Sequence, residues 1–504
     1  MKTETDPSLD PHRWRGLFVI LLGQFCALLD VSITNVALPS IGRSLGAGSS
    51  ELQWVVTGYV LAFALVPVIG GRLGDTRGRR RMFFVGLTGF VFASAVVGLS
   101  PVPLVMIVAR VIQGFFGGLL GPQVSGYIQN SFAKSERGRA FGMLGAVVGV
   151  GTALGPVVGG VLIGIGGQDF GWRLVFFVNV PIGAVALLLA VRWVKRDLPV
   201  VDPKSTKLDA FGAVLLGIGL LLVLFPLVEF DQFHSGWLFL LLIPGAAFLA
   251  AFIRRERALS VPGGSPLLDV RLFRVPTFTT GVAFAIVFFC SNTGIPLLLS
   301  LYYQQGLGFS ALDSGLGISA FAIGFVLGSQ ISGRLITRLG RPLVLAAVSL
   351  FFAATLAIGV TVHTAQAVTN PADLILRLAI PLFILGVGGG SIVTPNQTLT
   401  LMDVDPRMGG AAGGVLQTAQ RVGSSIGQTV LGTLFFASVA HAAASQQIGR
   451  PATNHLAFTN ALDLGLTGSL VFSGAALILG LIDFRRKREI LPRGPLELGR
   501  ARTS

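Results

Sequence analysis

Long apolar blocks fill most of the chain, and each is cut off by a short polar or basic stretch. A bilayer core about 30 Å thick takes roughly 20 mostly apolar residues of helix to cross. Fourteen blocks meet that length, near 17–38, 53–73, 82–100, 104–130, 141–164, 173–194, 210–229, 237–253, 277–303, 313–335, 342–362, 374–396, 410–438 and 465–484. The pattern predicts an all-α polytopic membrane protein. The first block runs on through Asp30 to Pro39 with no small-residue cleavage site behind it. A retained helix is therefore expected there, not a removed leader.

The spacing of the blocks predicts a division. Six closely spaced spans reach about residue 194, the polar stretch VKRDLPVVDPKSTKLDA follows, and two further spans come next. The basic stretch RRERALSVPGGSPLLDVRLFR then leads into six more spans. The expected units are a six-helix bundle over 1–200, a two-helix linker over 201–260, a second six-helix bundle over 261–484 and a tail over 485–504. An internal repeat agrees with this division. Gly71, Arg72, Leu73, Gly78 and Arg79 recur as Gly333, Arg334, Leu335, Gly340 and Arg341. Arg139, Gly142, Gly145, Gly155, Gly159 and Gly164 recur as Arg407, Gly410, Gly413, Gly423, Gly427 and Gly432. Parallel six-span repeats are a transporter architecture, with the substrate path where the repeats meet near the midplane.

Composition strengthens the membrane assignment. The 504 residues are 52% hydrophobic and 12% charged, with a mean hydropathy of +0.76, whereas soluble chains carry about a quarter charged residues. The formal net charge of +15 invites a nucleic-acid reading, but its placement excludes one. Of 38 Lys and Arg, 32 fall on the side that holds both termini, four (Arg43, Arg173, Arg377, Arg450) on the other, and two (Arg110, Arg421) inside spans. That bias predicts cytoplasmic termini in a cell (plasma) membrane protein, with the basic loops against lipid headgroups. Trp14, Trp54, Trp172, Trp193 and Trp237 fall at span ends, where indole favours the interface. Cys26 and Cys290 lie inside spans and are expected as free thiols.

Three ionisable residues stand deep in apolar blocks. Asp30 lies in span 1, where a lone charge costs roughly 2.5–3.5 kcal/mol on insertion scales. Burial favours its neutral form, which suits a group that takes up and releases a proton; a structural acid bonded to Ser32 or Thr34 is the alternative. Arg110 in span 4 is the expected counter-charge, because guanidinium stays protonated; binding an anionic group of the cargo, or tying helices through backbone carbonyls, are the alternatives. Gln113, one turn on, faces the same side. Arg421 in span 13 stands among Gln417, Gln420 and Gln428, a polar face for cargo or for structure. Glu229, at the end of span 7, is expected as a solvated acid.

Four motifs in order carry a resemblance. LLDVSITNVALP (28–39), GGRLGDTRGRRR (70–81), RVIQGFFGG (110–118) and GVGTALGPVVGG (149–160) are similar to the motifs of the major facilitator superfamily, and within it of the fourteen-span drug:proton antiporters of multidrug efflux type. The resemblance covers nearly the whole chain and implies two six-helix bundles plus two additional linker helices. It implies proton coupling at Asp30 and Arg110, and substrate binding by Asn35, Gln113, Gln417 and Arg421. It also implies a conformational latch at Gly71, Asp75, Gly78, Arg79 and Arg80, in which Asp75 accepts from an arginine and faces a helix N-terminus of the other half. Thr337 stands at the equivalent of Asp75, so one full latch is expected. Gly151, Gly155, Pro156, Gly159 and Gly160 match the antiporter motif; the glycines repeat at helix-packing intervals and the proline bends the helix.

No phosphate-binding loop, metal-ligand cluster or nucleophile–base pair appears in the sequence. No catalytic residue, metal or cofactor is therefore expected, and an enzyme is not. The expected function is proton-coupled antiport that exports amphipathic drugs or antibiotics by alternating access. Neutral, monocationic or zwitterionic cargo is favoured, and the expected partners are that small molecule, protons and membrane lipids, with the chain a monomer. The alternatives are a dedicated exporter of one self-made metabolite, antibiotic or lipid, and a non-transporting membrane sensor.

Overall fold

In lipid a backbone must satisfy its own hydrogen bonds, so apolar blocks of this length fold as helices. A computed structural model describes residues 11–195, 209–233, 236–261, 264–364, 371–444 and 451–490. The expected boundary at 200/201, Arg450 and most of the expected tail over 485–504 lie outside the described residues. The helices are α1 (Arg13–Leu45), α2 (Ser49–Leu65), α3 (Pro67–Arg77), α4 (Arg79–Leu99), α5 (Pro103–Ser131), α6 (Lys134–Phe177) and α7 (Asn179–Trp193). They continue as α8 (Ala210–Phe233), α9 (Leu242–Leu259), α10 (Pro276–Leu301), α11 (Ala311–Leu339), α12 (Arg341–Thr364), α13 (Pro371–Thr400), α14 (Gly409–Ala444) and α15 (Pro451–Ile490).

Two local breaks reconcile this order with the fourteen expected spans. Pro67, which has no N–H to donate, begins α3 after a 46° bend that makes α2 and α3 one broken span. Gly167 holds φ at 71° and splits α6 into the end of one span and the start of the next. Among the described residues, thirteen helical segments are long and apolar enough to cross a bilayer, and the bent pair brings the number to fourteen.

Helices α1 and α7 pack with α4, α5 and α6, while α2 and α3 lie on α5; α10 to α15 pack among themselves, and α8 pairs with α9. The two groups meet along α6 with α11 and along α3 and α5 with α14, and α8 touches both α2 and α14. Glycines set the closeness of that seam. A Cβ on Gly71 would sit 2.2 Å from the Gly410 oxygen, one on Gly414 2.2 Å from the Pro67 oxygen, and one on Gly138 2.6 Å from the Gly333 oxygen. All three contacts lie at the arginine-rich end. Toward the opposite end the seam loosens: Gly315 finds Pro156 at 3.8 Å, and Gly160 and Gly164 find nothing within 4 Å.

One tryptophan at a span end is turned inward. Trp172 is fully buried, edge-on to Phe176 and beneath the Arg173 guanidinium. Arg173 itself donates to the Gly98 and Ser100 carbonyls where α4 ends, which draws the neighbouring indole inward.

Candidate functional site

Asp30 is fully buried midway along α1, with Arg110 and Gln113 of α5 and Asn179 of α7 around its carboxylate. Arg110 Nη1 donates to Oδ2, while Gln113 Nε2 and Asn179 Nδ2 each donate to Oδ1 at 2.9 Å. Every donor offers an N–H, so the arrangement fits the carboxylate form. Arg110 is tied further: its Nε donates to the Val55 carbonyl at 3.0 Å and its Nη1 to Gln113 Oε1 at 2.8 Å. Its guanidinium also stands 4.1 Å from the Tyr59 ring centroid. A buried ion pair holds its geometry when the remaining polar atoms are bonded, as most are here. The sequence alternative for Asp30 meets a different outcome: Thr34 Oγ1 donates to the Asp30 backbone carbonyl at 2.6 Å, not to the carboxylate.

The antiporter-motif glycines grip the turn that carries Asp30. A Cβ on Gly155 would sit 2.3 Å from Ser32 Cβ, and Gly151 and Gly159 face Leu28 and Ile33 at 3.1 and 3.0 Å. Small residues let α6 pack against α1 at this level, where lipid offers no hydrophobic drive. Gly160 is exposed and takes no part in that contact.

At the arginine-rich end Asp75 spans the seam. Its Oδ1 accepts from Gly410 N at 3.0 Å and its Oδ2 from Ala411 N at 2.8 Å, at the first turn of α14. A carboxylate is favoured there by unpaired helix N–H groups. Arg79 Nη2 donates to Asp75 Oδ1 at 2.6 Å and to the Pro406 carbonyl at 2.8 Å, and its Nη1 to the Gly126 carbonyl at 2.7 Å. Gly78, at φ 102°, makes the turn between α3 and α4. Arg80 stands apart, donating to the Val191 carbonyl and lying over Phe84.

The other expected residues are dispersed. Asn35 is exposed on α1, outside the Asp30 cluster. Gln417 and Arg421 lie on the seam face of α14, Gln417 against Gly121 of α5 and Arg421 with its guanidinium 4.7 Å from the Phe63 centroid. Phe63 stacks on Tyr59 at 5.7 Å, so two rings stand between Arg421 and Arg110. Glu229 is 1% exposed and accepts from Gln53 Nε2 at 2.9 Å, which overturns the expectation of a solvated acid: α8 packs that end against α2 and α14. Asn179, with Ser94 whose Oγ accepts from Asn179 Nδ2 at 3.1 Å, and Tyr59 and Phe63 were not singled out in the sequence. Asn179 had a usable signal, an amide inside an apolar block. The aromatic pair had none, being two of many rings.

This architecture has matches among known proteins. The Major Facilitator Superfamily model matches residues 20–428. The chain belongs to the Major Facilitator Superfamily. Within that superfamily it is 36% identical to the probable actinorhodin transporter of Streptomyces coelicolor, over 86% of this chain and 74% of the relative. It is 33% identical to the puromycin resistance protein of Streptomyces alboniger, over 93% and 90%, and 31% identical to the tetracenomycin C resistance and export protein of Streptomyces glaucescens, over 84% and 76%. The fold is similar to that of the human organic anion transporter MFSD10, with a TM-score of 0.63 and 15% identity over 94% of this chain and 100% of that one. It is also similar to the proton:xylose symporter XylE, at 0.59 and 15% over 90% and 94%. The chain is thus a multi-pass membrane transporter whose relatives include exporters of antibiotics.

Proposed function

We propose that the chain exports amphipathic drugs or antibiotics across the plasma membrane in exchange for protons, by alternating access. The observation that carries this reading is the Asp30–Arg110 pair, buried among helices with further amide donors. The positive-inside bias makes the arginine-rich end cytoplasmic, with units at 1–200, 201–260, 261–484 and 485–504. The seam is then closed toward the cytoplasm and looser toward the outside. Asp30 has no exposed surface in this conformation, so proton exchange belongs to a step in which α1, α5 and α7 shift. Protonation removes the charge that Arg110 faces, and the released guanidinium loosens α1 from α5. The Asp75–Arg79 latch holds the cytoplasmic closure and breaks when that side opens.

The test is Asp30→Asn in proteoliposomes: the variant should fold and bind cargo but lose proton-linked export, and normal export by it removes Asp30 from the mechanism. A second reading is a dedicated exporter of one compound, favoured by the single antibiotics in the names of the Streptomyces relatives. Competition among unrelated compounds for export separates the two: a dedicated exporter responds to one chemical class.

A further inference from the structure

The two arginines inside the spans are in different circumstances. Arg110 has Asp30. Arg421 is half-buried, and among the described residues its guanidinium has the Phe63 ring as its neighbour, with no hydrogen bond and no acid. Asp30 cannot serve it, being fully buried and already held by three donors. A guanidinium cannot escape by losing its proton, and an uncompensated charge in a low-dielectric setting is costly.

Its position gives that charge a direction. The seam face of α14 runs from Gly410 against Gly71, through Gly413 against Ser125 and Gly414 against Pro67, to Gln417 against Gly121, and then to Arg421. Side chains along this face grow as the seam leaves the arginine-rich end. Two turns further on, Gln428 is exposed. Arg421 therefore stands where the tight closure gives way. Beside it the Phe63 and Tyr59 rings stack 5.7 Å apart, both buried in this conformation, and Arg110 lies over Tyr59.

We propose that Arg421 anchors the cargo through an acidic group, so that the preferred substrates join a carboxylate or similarly anionic oxygen to a flat apolar body. This rests on the reading of the seam as the cargo path. A planar guanidinium meets a carboxylate through two parallel N–H···O bonds, and the Phe63 ring beside it meets the apolar part once the helices shift and uncover it. A cationic cargo meets repulsion at Arg421 and finds no acid beside it among the described residues, which revises the preference for neutral, monocationic or zwitterionic compounds drawn from the count of acids.

The experiment compares 1-pyrenebutyrate with its uncharged amide, 1-pyrenebutyramide. Binding to the purified full-length protein in detergent is followed by pyrene fluorescence, and flux is followed in proteoliposomes. Wild type should bind the acid at least about tenfold more tightly than the amide, the scale of one charge-assisted contact. Arg421→Gln should bring the acid-to-amide ratio near one, and Arg421→Lys, which keeps the charge but loses the fork, should leave it between. Arg377→Gln, which removes an exposed cation near the start of α13, should keep the wild-type ratio. Equal affinities in wild type, an unchanged ratio in Arg421→Gln, or the same loss in Arg377→Gln overturns the proposal. Binding in the expected pattern without flux of either probe supports the anchor and overturns the exporter reading.

Discussion

The loop at 71–80 and its copy at 333–342 share two glycines and two arginines in register, Gly71, Arg72, Gly78 and Arg79 with Gly333, Arg334, Gly340 and Arg341, but tie down different parts of the molecule. Both turn through a left-handed glycine, Gly78 at φ 102° and Gly340 at φ 58°. In the first loop Asp75 crosses the seam to the start of α14. In the second Thr337 is exposed, and Arg341 pairs with Asp483 of α15, within its own group of helices. The glycine fixes the turn; the acid decides what the turn holds. The same contrast recurs deeper. The offset of 262 residues that relates the loops carries Asp30 to Asn292, a buried neutral residue whose Oδ1 has no described hydrogen-bond partner. The two acids of the first repeat, Asp30 and Asp75, thus stand where the second repeat has the neutral residues Asn292 and Thr337.

The sharpest way to break this asymmetry is to remove the cation. Arg110→Ala leaves Asp30 buried with amides alone and should cost about 3–5 kcal/mol, read as a lower melting temperature in detergent. Asp30→Asn should cost less, because Arg110 keeps the Val55 carbonyl, Gln113 Oε1 and the Tyr59 ring. Next in size is the latch. Asp75→Ala removes a charged acceptor from two backbone N–H groups and from Arg79, a loss of about 1.5–3 kcal/mol. Hydrogen exchange at Gly410 and Ala411 should rise by at least roughly tenfold, with exchange in the second loop unchanged.

Asp209, just before α8, accepts from Arg255 at 2.7 and 2.9 Å, and those side-chain bonds hold its carboxyl below the usual carboxylate range. A lowered value in the folded state means that the contribution is present above about pH 4 and fades as pH falls through that range. Because Arg255 is 39% exposed, Asp209→Asn should cost no more than about 1 kcal/mol at pH 7. Its melting difference from wild type should close in acid. Smallest of all, Thr337→Ala should stay within about 0.5 kcal/mol of wild type. A change as large as that of Asp75→Ala would erase the distinction between the loops.

Much of this was legible in the sequence because it rests on two strong signals. Apolar length fixes a helix that crosses a membrane, and a charge inside such a helix must be answered by something. Asp30, Arg110 and Gln113 could be grouped from those rules and helical spacing alone. What stayed hidden depends on how distant helices rotate. Nothing in the pattern says that Asn179 turns toward Asp30 while Asn35, five residues from Asp30, is exposed. The burial of Glu229 follows from α8 packing against both α2 and α14, a placement that the spacing of spans does not encode. Trp172 stands at a span end as expected, but its burial was hidden for the same reason, since its neighbour Arg173 reaches back to the end of α4.

The central claim is that the carboxylate of Asp30 exchanges its proton in step with cargo. It is tested most directly by recording lumenal pH in proteoliposomes while 1-pyrenebutyrate is added, for wild type and for Asp30→Asn. Matched melting curves ensure that both proteins are folded. The account predicts cargo-dependent proton movement in the wild type and none in the variant. Equal proton movement in the two would contradict it.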